Sequence, residues 1–282
     1  MANKLHIPRN PRRLALILPH EHGAWGILLV PLVTGTAVGL LAGGRVAPAL
    51  LFTVAVVALF WLRTPVESWL GAGPVRIQTS QDLTLVFAAI LPLTAVAVVT
   101  LTTLLWRGKN RELLWFGIVA ALALASQVLL RRMGRATRMA AQMVGAFGLT
   151  VTAPATYYLV TGRLEATAWV LWLLNFLFAG NQIHFVWTRI RGARTAGWSQ
   201  KLTAGWSFLA GQVILAGILG IACYFDLLSR FALIAFAPIL FRGIAWFVKK
   251  TPPLAVRRLG WTELAHAVAF GILLTAGFSF AK

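Results

Sequence analysis

Residues 83–106 read LTLVFAAILPLTAVAVVTLTTLLW, a stretch without a single charged side chain. A helix of about 20 such residues crosses the hydrocarbon core of a bilayer. Eight further, predominantly apolar stretches lie at 23–43, 46–63, 113–130, 139–160, 166–187, 202–225, 231–248 and 261–280. The sequence therefore predicts an all-α, polytopic membrane bundle of about nine transmembrane helices, folded as a single integral membrane domain over residues 1–282.

The composition supports the same class of protein. The chain is 59% hydrophobic and 12% charged, whereas soluble domains carry about 25% charged residues. A formal net charge of +19 would attract phosphate if it covered a soluble surface, but in membrane proteins Lys and Arg collect in cytoplasmic loops. We therefore expect contact with the lipid bilayer and no binding of nucleic acid. The single cysteine, Cys223, excludes an intramolecular disulfide.

Lys and Arg residues alternate from one inter-helix segment to the next. If the N-terminus lies inside, the inside segments hold 18 of the 26 cations and the outside segments hold seven, while Arg242 lies within a span. The excess of cations on one side sets the orientation of a membrane protein. The sequence predicts a multi-pass protein of the bacterial cytoplasmic (inner) membrane, with a cytoplasmic N-terminus and the C-terminus outside.

A faint internal repeat relates two parts of the chain. Gly23-Ala24-Trp25-Gly26 opens the first span, Gly145-Ala146-Phe147-Gly148 lies early in the fifth, and Pro31 and Pro154 follow them. The match predicts two parallel four-helix halves, residues 20–138 and 139–250, followed by a ninth helix at 261–280. Because such matches also arise by chance in an apolar chain, both interpretations stay open.

The entrance of the first span is the most polar helix start. His20, Glu21 and His22 are three ionisable residues in succession, and Trp25 follows at a position suited to an interfacial anchor. A carboxylate at a helix N-terminus is stabilised by the helix dipole, so one interpretation is an ordinary capped helix end. The other is a wall of a cytoplasm-facing pocket, because a cap does not require two flanking histidines.

The sixth predicted span ends with a polar face. Asn181, His184, Thr188 and Arg191 are separated by three, four and three residues, which places them on one side of a helix. Polar side chains within a span usually face the bundle interior or a water-filled cavity. The pattern predicts either a binding surface or a structural network of hydrogen bonds between helices.

Charged residues also lie in or beside other spans. Glu67 follows Arg63 by four residues, a spacing that gives either a surface ion pair or part of a pocket lining. Arg242 lies six residues from the end of its span. It either snorkels to the interface or pairs with Glu67 or Glu263 in a cavity.

Glu263 and His266 begin the ninth predicted span with the spacing of the Glu-x-x-His unit that di-iron bundles use twice. The sequence contains one copy, so it identifies no cofactor and leaves the use of a metal unknown. A single divalent ion is an alternative, held by some of Glu21, His22, Glu67, His184, Glu263 and His266.

The opening Pro19-His20-Glu21-His22-Gly23-Ala24-Trp25, followed by Pro31, resembles the start of the YwiC-like family of bacterial membrane proteins. The resemblance extends through Ala153-Pro154 with Tyr157 to Arg258-Leu259-Gly260 with Glu263. The resemblance implies a multi-pass membrane protein and does not imply a specific reaction.

A more distant resemblance concerns the arrangement of the helices. Nine helices, a cytoplasmic N-terminus and polar segments after the second and sixth spans are similar to the UbiA-type prenyltransferases, in which aspartate-rich motifs at these places bind magnesium and a prenyl diphosphate. Here the two places read Arg63-Thr64-Pro65-Val66-Glu67 and His184-Phe185-Val186-Trp187-Thr188-Arg189, without aspartate pairs. This departure counts against the magnesium-diphosphate mechanism, which needs carboxylates to hold the metal.

The leading hypothesis is a UbiA-like bundle with a cytoplasm-facing polar cavity that binds an amphipathic anionic ligand, such as a prenylated, quinone-like or haem-like molecule, with group transfer as one outcome. Arg63, Arg189 and Arg191 would hold the anion by bidentate hydrogen bonds. Proton transfer or metal ligation would fall to Glu21, His22, His184 and Glu263. The rest of the predicted ligand-binding set is Trp25, Glu67, Asn181, Arg242 and His266.

Two other classes of function fit the same residues. Prolines within several spans and buried ionisable groups are also typical of a transporter for a small organic anion or a proton-coupled solute. A non-catalytic assembly factor for another membrane complex is the third class, and the sequence names no protein partner for it.

Overall fold

The structure is a computed structural model. It describes residues 11–19, 22–71, 73, 75–108, 110–195, 197–225, 228–249 and 254–280, with all side chains except those of Pro11, His22 and Arg194. Within these ranges the chain forms twelve α-helices and no strand: α1 (Pro11–Ile17), α2 (His22–Leu41), α3 (Ala47–Trp69), α4 (Ser80–Trp106), α5 (Leu113–Arg132), α6 (Arg138–Thr150), α7 (Thr152–Thr161), α8 (Ala166–Arg191), α9 (Trp198–Tyr224), α10 (Arg230–Leu233), α11 (Ala237–Val248) and α12 (Val256–Ser279).

Nine segments of the described chain are long and apolar enough to cross a membrane. They are Gly23–Leu41, Ala47–Trp69, Ser80–Trp106, Leu113–Arg132, Arg138–Thr161, Ala166–Arg191, Trp198–Tyr224, Arg230–Val248 and Val256–Ser279. The predicted all-α polytopic bundle is confirmed, and the chain is a multi-pass membrane protein.

Two boundaries differ from the predicted ones in a way that changes the position of candidate residues. α3 continues through Pro65 to Trp69, so Glu67 lies on a helix and not in a loop. Membrane helices tolerate proline where neighbouring groups compensate for its missing N–H. α12 begins at Val256, five residues before the predicted start, so Glu263 lies about two turns inside the helix instead of at its mouth.

The spans expose apolar side chains along their outer sides. Leu91 and Val99 on α4 are 68% and 64% exposed, and Val213 on α9 is 68% exposed. Soluble monomers rarely expose large continuous apolar patches. These sides of the helices therefore contact lipid.

The chain divides into two compact units. Unit 1 consists of Met1–His22 and Ala47–Asn110, and it contains α1, α3 and α4. Unit 2 consists of Gly23–Val46 and Arg111–Lys282, and it contains α2 from Gly23 onward and α5 to α12.

Unit 1 is a helical hairpin of α3 and α4 on which the short helix α1 packs. Trp61 Nε1 donates to the carbonyl of Ile17 at 2.7 Å, and Ser68 Oγ donates to the carbonyl of Leu16 at 3.0 Å. A helix leaves its last carbonyls without partners within the helix. The two bonds from α3 satisfy these carbonyls and fix the C-terminal end of α1.

A buried carboxylate caps the start of α4. Thr79 Oγ1 accepts from the backbone N–H of Asp82 at 3.1 Å, and Asp82 Oδ2 accepts from the backbone N–H of Thr79 at 3.3 Å, which together form a capping box. Arg12 Nη2 lies 3.3 Å from Oδ2, and Arg13 Nε lies 3.3 Å from Oδ1. Asp82 therefore ties α1 to the first turn of α4.

In unit 2, α2 packs against α7 with backbones in close approach. A Cβ on Gly35 would lie 2.1 Å from Thr156 Oγ1 and 2.2 Å from the carbonyl oxygen of Ala153, so no larger residue fits there without a shift. Small residues allow such approach between membrane helices. Residues 152–160 of α7 are all buried, which places this helix in the core of unit 2.

Two adjacent tyrosines near the end of α7 contact carboxylates that precede other helices. Tyr158 donates to Glu112 Oε2 just before α5, and Tyr157 donates to Glu165 Oε2 just before α8 at 3.3 Å. Glu112 lies outside the spans, and the hydrogen bond from Tyr158 holds the pKa of this carboxyl below its ordinary value. α7 thereby connects the starts of α5 and α8.

Two spans of unit 2 are not continuous α-helices. The span Arg138–Thr161 changes from α6 to α7 at Val151, and the span Arg230–Val248 contains the 3₁₀ turn Ile234–Phe236 between α10 and α11. Pro238, in the first turn of α11, has no N–H to continue the preceding hydrogen-bond ladder. α11 therefore starts inside the span and carries Arg242 in its second turn.

Candidate functional site

Arg242 on α11 and Glu263 on α12 form a buried ion pair in unit 2, through Arg242 Nη1 and Glu263 Oε2. Their side chains are 10% and 4% exposed. Arg242 lies six residues before the end of α11, and Glu263 lies seven residues after the start of α12. At 1.5 Å per residue, each is about 10 Å inside its helix. Glu263 is one of the two partners that the sequence predicts for Arg242.

Two neighbouring amides on α8 contact this pair. Arg242 Nη2 donates to Asn181 Oδ1 at 3.2 Å, and Gln182 Nε2 donates to the backbone carbonyl of Glu263 at 2.8 Å. Both amide side chains are buried. α8 therefore connects α11 and α12 at the depth of the ion pair.

An aromatic ring covers one face of the arginine. The Cζ atom of Arg242 lies 4.0 Å from the ring centroid of Phe185. A cation over a ring face is attracted by the ring quadrupole, and more strongly where water is excluded. Phe185 belongs to a buried cluster with Phe208, Trp246 and Phe247, which we call the aromatic cluster. The polar edge of Arg242 thus faces Glu263 and Asn181, and its flat face lies on aromatic side chains.

Several buried polar atoms around the pair have no hydrogen-bond partner within the described chain. They are Arg242 Nε, Glu263 Oε1, Gln182 Oε1 and both amide atoms of Gln212. Gln212, on α9, packs against α11, where a Cβ on Gly243 would come within 2.5 Å of its Nε2. An unpaired buried polar group costs about 1–3 kcal/mol, so such groups are nearly always satisfied. The ion-pair cluster, which comprises Asn181, Gln182, Arg242 and Glu263, can therefore bind further polar atoms.

The other polar residues predicted on α8 make different contacts. His184 Nε2 lies 3.2 Å from Ser207 Oγ on α9. Thr188 donates to the carbonyl of His184 at 2.9 Å, and Arg191 is exposed, with its guanidinium 5.3 Å from the ring centroid of Trp187. His184 also packs edge-on against Phe208 of the aromatic cluster, with ring centroids 5.4 Å apart. Among the described contacts, neither His184 nor Arg191 bonds to the ion pair.

Arg189 lies on the same face of α8 as Gln182 of the ion-pair cluster. It is half-buried, and its Nη1 is buried without a hydrogen-bond partner in the described ranges. Arg189 follows Gln182 by seven residues, so the two side chains share one helix face. Their axial separation is about 10 Å. Arg189 therefore lies on the face of α8 that leads from the ion-pair cluster to the end of the helix.

In unit 1, Arg63 and Glu67 form an ion pair within α3. Arg63 Nε lies 2.8 Å from Glu67 Oε1, and the two side chains are 19% and 29% exposed. This is the i,i+4 alternative that the sequence predicts for these residues. Pairs of this kind contribute about 0–1 kcal/mol.

The remaining predicted residues lie at the starts of α2 and α12. Glu21 lies outside the described residues, and of His22 the structure describes the backbone at the start of α2 and not the side chain. Trp25 is half-buried in the first turn of α2. On α12, His266 Nδ1 lies 2.6 Å from the carbonyl oxygen of Thr262 within the same helix. Among the side chains that the structure describes, no group of three or more His, Cys, Asp or Glu could hold a metal ion.

The sequence predicts none of Gln182, Phe185 and Gln212 as site residues. Gln212 is the one amide within the apolar stretch 202–225, a signal that was available because polar side chains in spans face the interior. The contact between Phe185 and Arg242 depends on how two helices pack, and the sequence carries no sign of it.

Lys201 also differs from its predicted place, because the topology prediction counts it as a loop cation. It lies in the first turn of α9 and is 2% exposed. Its Nζ donates to the carbonyls of Trp246 at 3.0 Å and Lys249 at 2.5 Å, at the C-terminal end of α11. A cation there satisfies orphan carbonyls and complements the helix dipole. Lys201 therefore fixes the end of the helix that carries Arg242.

Comparisons with known proteins bear on the N-terminal half of the chain. No curated protein and no solved structure matches the chain. The UbiA-like resemblance stays a prediction. Residues 18–157 match the model of the family described as YwiC-like protein, so this part of the chain is similar to the YwiC-like family, as the sequence predicts.

Proposed function

We propose that the ion-pair cluster of unit 2 binds the anionic group of an amphipathic ligand of the prenylated, quinone-like or haem-like type. The observation that carries this proposal is the ion pair of Arg242 with a single carboxylate inside the spans, with polar atoms of both partners unpaired within the described chain. Charged side chains at such depth are costly and commonly mark ligand or ion pathways.

Arg242 can take an anion while it keeps its present neighbours. Its Nη1 contacts Glu263 and its Nη2 contacts Asn181, so Nε–H is the donor without an acceptor in the described chain. Carboxylates and phosphates accept from two adjacent guanidinium N–H groups at once. An anionic group that takes Nε and shares Nη2 with Asn181 would make this bidentate contact.

The aromatic cluster supports an amphipathic ligand over a small inorganic anion. Its rings border Arg242 through Phe185, which is buried together with Phe208, Trp246 and Phe247. Aromatic side chains bind planar rings by offset stacking and apolar tails by area burial. A ligand with an anionic group at Arg242 would therefore place its apolar part between α8, α9 and α11. Arg189, on the same face of α8, would contact a second polar group.

The test is the binding of a defined probe, pyrene-labelled dodecyl sulfonate, to the full chain in nanodiscs. We expect an Arg242→Gln variant to bind at least about tenfold more weakly, because removal of a charge-assisted hydrogen bond costs about 1.5–3 kcal/mol. The matched control is Arg257→Gln, which removes the same charge from an exposed position at the start of α12.

A second measurement identifies the natural ligand. Lipids extracted from the purified protein are analysed by mass spectrometry for the wild type and for both variants. A specific amphipathic anion that is lost in Arg242→Gln and kept in Arg257→Gln supports the proposal. Equal probe affinity in all three proteins, with recovery of bulk phospholipid alone, would contradict it.

Transport of a small organic anion or a proton-coupled solute is the alternative, and the spread of polar residues along α8 favours it. Asn175, Asn181 and Thr188 are all buried, and 13 residues separate the first from the last, about 20 Å along the helix. Asn175 Nδ2 donates to Thr34 Oγ1 at 3.1 Å. Flux in proteoliposomes that is lost in Glu263→Gln would favour transport. Probe binding without flux across a panel of organic anions would favour binding alone.

We infer that the protein lies in a bacterial inner membrane with its N-terminus in the cytoplasm, on the support of the 18 cations against seven in alternating segments. In a Cys223→Ser background, a membrane-impermeant maleimide should label Leu164→Cys on intact cells. Ala136→Cys, in the segment before α6, should react after permeabilisation. The reverse pattern would contradict this orientation.

A further inference from the structure

We propose that binding of an anion at Arg242 is coupled to the uptake of one proton by Glu263. This inference rests on the proposed function, because it concerns the same site and the same anionic ligand. It adds that the site binds the anion and a proton together, so that the affinity for the anion depends on pH.

The first support is the charge balance of the ion-pair cluster. Arg242 and Glu263 together are neutral, and their side chains are 10% and 4% exposed within the spans. An anion that joins them would leave one uncompensated negative charge in a buried site, which is strongly disfavoured in a low-dielectric environment. A proton on Glu263 restores neutrality, because Arg242 then balances the bound anion.

The second support is the set of hydrogen-bond acceptors beside Glu263. Its Oε1 and the Oε1 of Gln182 are both acceptors that lack a donor within the described chain. The two residues are in contact, since Gln182 Nε2 donates to the backbone carbonyl of Glu263 at 2.8 Å. Protonation changes a carboxylate oxygen from an acceptor into a donor. A proton on Glu263 would supply the donor that this pair of acceptors lacks.

The charged and polar groups that contact Glu263 come from two neighbouring helices. Arg242 faces it from α11, the neutral amide of Gln182 contacts it from α8, and Asn181 of α8 contacts Arg242. The cation on the same face of α8, Arg189, lies about 10 Å from Gln182 along the helix. On α12 itself, His266 contacts Thr262, and Arg257 and Arg258 are exposed at the start of the helix.

The other helices that pack on α12 add few charges. α10 carries Arg230 at its first residue, and α2 has no charged residue from Gly23 to Leu41. Arg242 keeps its positive charge, because a guanidinium is not deprotonated in proteins. The binding step is therefore balanced in charge, because one proton and one anion enter the site together. No other reactant is needed.

The experiment measures the affinity for pyrene-labelled dodecyl sulfonate in nanodiscs from about pH 5 to about pH 8. A sulfonate stays ionised over this range, so any pH dependence belongs to the protein. We expect the dissociation constant of the wild type to rise by up to about tenfold per pH unit where one proton is linked to binding. Glu263→Gln imitates the protonated side chain and should bind with little dependence on pH. Glu165→Gln, the matched control from the exposed ion pair with Arg163, should keep the pH dependence of the wild type.

A second readout needs no variant. Proton uptake on binding is measured by calorimetry in buffers of different ionisation enthalpy, and one proton per bound probe is expected for the wild type. Binding that is independent of pH, with no proton uptake, would overturn the coupling and leave the proposed function intact. The same pH dependence in Glu263→Gln as in the wild type would overturn the role of Glu263. No binding by either protein at any pH would overturn both the coupling and the proposed function.

Discussion

Each unit of the molecule contains a buried carboxylate that contacts arginine, and the two carboxylates differ in what surrounds them. In unit 1, Asp82 Oδ2 accepts from two backbone N–H groups and from Arg12, while Arg13 lies at Oδ1. In unit 2, Glu263 contacts Arg242 through one oxygen. Neither Glu263 Oε1 nor Asp82 Oδ1 has a hydrogen-bond partner in the described residues, but Asp82 Oδ1 lies 3.3 Å from Arg13 Nε, whereas Arg242 also keeps an unpaired Nε.

The arginines of the two units also differ in their exposure to solvent. Arg12 and Arg13 are 37% and 30% exposed, whereas Arg242 is 10% exposed. The contacts of Asp82 connect α1 to the first turn of α4, and the arginines are partly in solvent, so a structural role is sufficient for them. The ion pair of unit 2 keeps unused donors and acceptors inside the spans, which a purely structural pair would not need.

The largest expected effect comes from breaking the buried pair. Glu263→Leu leaves the charge of Arg242 without its partner, and we expect a loss of about 3–5 kcal/mol in the free energy of unfolding. The double variant Arg242→Met/Glu263→Leu should recover most of this loss, because neither charge remains. Unfolding midpoints in mixed detergent micelles measure both. Equal stability of the wild type and Glu263→Leu would show that the pair is not buried as described.

A smaller effect is expected in unit 1. Asp82→Ala removes one half of the capping box and the contacts with Arg12 and Arg13, which should cost about 1–2 kcal/mol. Asp82→Asn keeps an acceptor for the backbone N–H groups and should cost less. Probe binding should stay at the wild-type level in both variants. A loss of binding would remove the functional distinction between the two carboxylates.

The half-buried ion pair on α3 should contribute less to stability again. Glu67→Gln breaks its ion pair with Arg63, and for side chains 29% and 19% exposed we expect a change of no more than about 1 kcal/mol. Raising the salt concentration should reduce this difference further. Unfolding midpoints of Glu67→Gln and the wild type at low and high salt provide the check. A loss of stability comparable with that of Glu263→Leu would contradict the expectation that the less buried pair contributes less.

The smallest effect concerns pH and a carboxylate outside the spans. The hydroxyl of Tyr158 lowers the pKa of Glu112, so its contribution to stability is present above the ordinary pKa of a glutamate and is lost as the pH falls through the lowered value. The stability difference between the wild type and Tyr158→Phe should therefore shrink as the pH is lowered into this acidic range. Thermal unfolding at a series of pH values measures it. A difference that grows in acid would reverse the sign of the proposed linkage.

The positions of the spans could be predicted because length and hydropathy are local properties of the sequence. The start of α12 was harder, since Arg257 and Arg258 read as loop charges although they lie in its first turn. The second predicted span ends at residue 63, whereas α3 continues through Pro65 to Trp69. The 3₁₀ turn Ile234–Phe236 could not be seen, because it lies in an apolar stretch whose hydropathy does not report backbone hydrogen bonding.

The residues of the candidate site could be predicted from the sequence, but the partner of each residue could not. The sequence gives the depth of Arg242 and leaves Glu67 and Glu263 as its two partners, since the choice depends on which helix faces oppose each other. In the structure Glu67 pairs with Arg63, and Glu263 pairs with Arg242. His184 shares a face of α8 with Asn181 by spacing, yet it contacts Ser207, because α9 lies against that side of the helix.

The buried amine of Lys201 has a consequence for chemical labelling. An amine must be accessible to attack an acylating reagent, and this one is 2% exposed, with two carbonyl acceptors at the end of α11. Lys201 should therefore react slowly while α11 is docked and faster if ligand entry releases that helix end. Peptide mapping after brief acylation would then report, at one lysine, how often the helix that carries Arg242 moves.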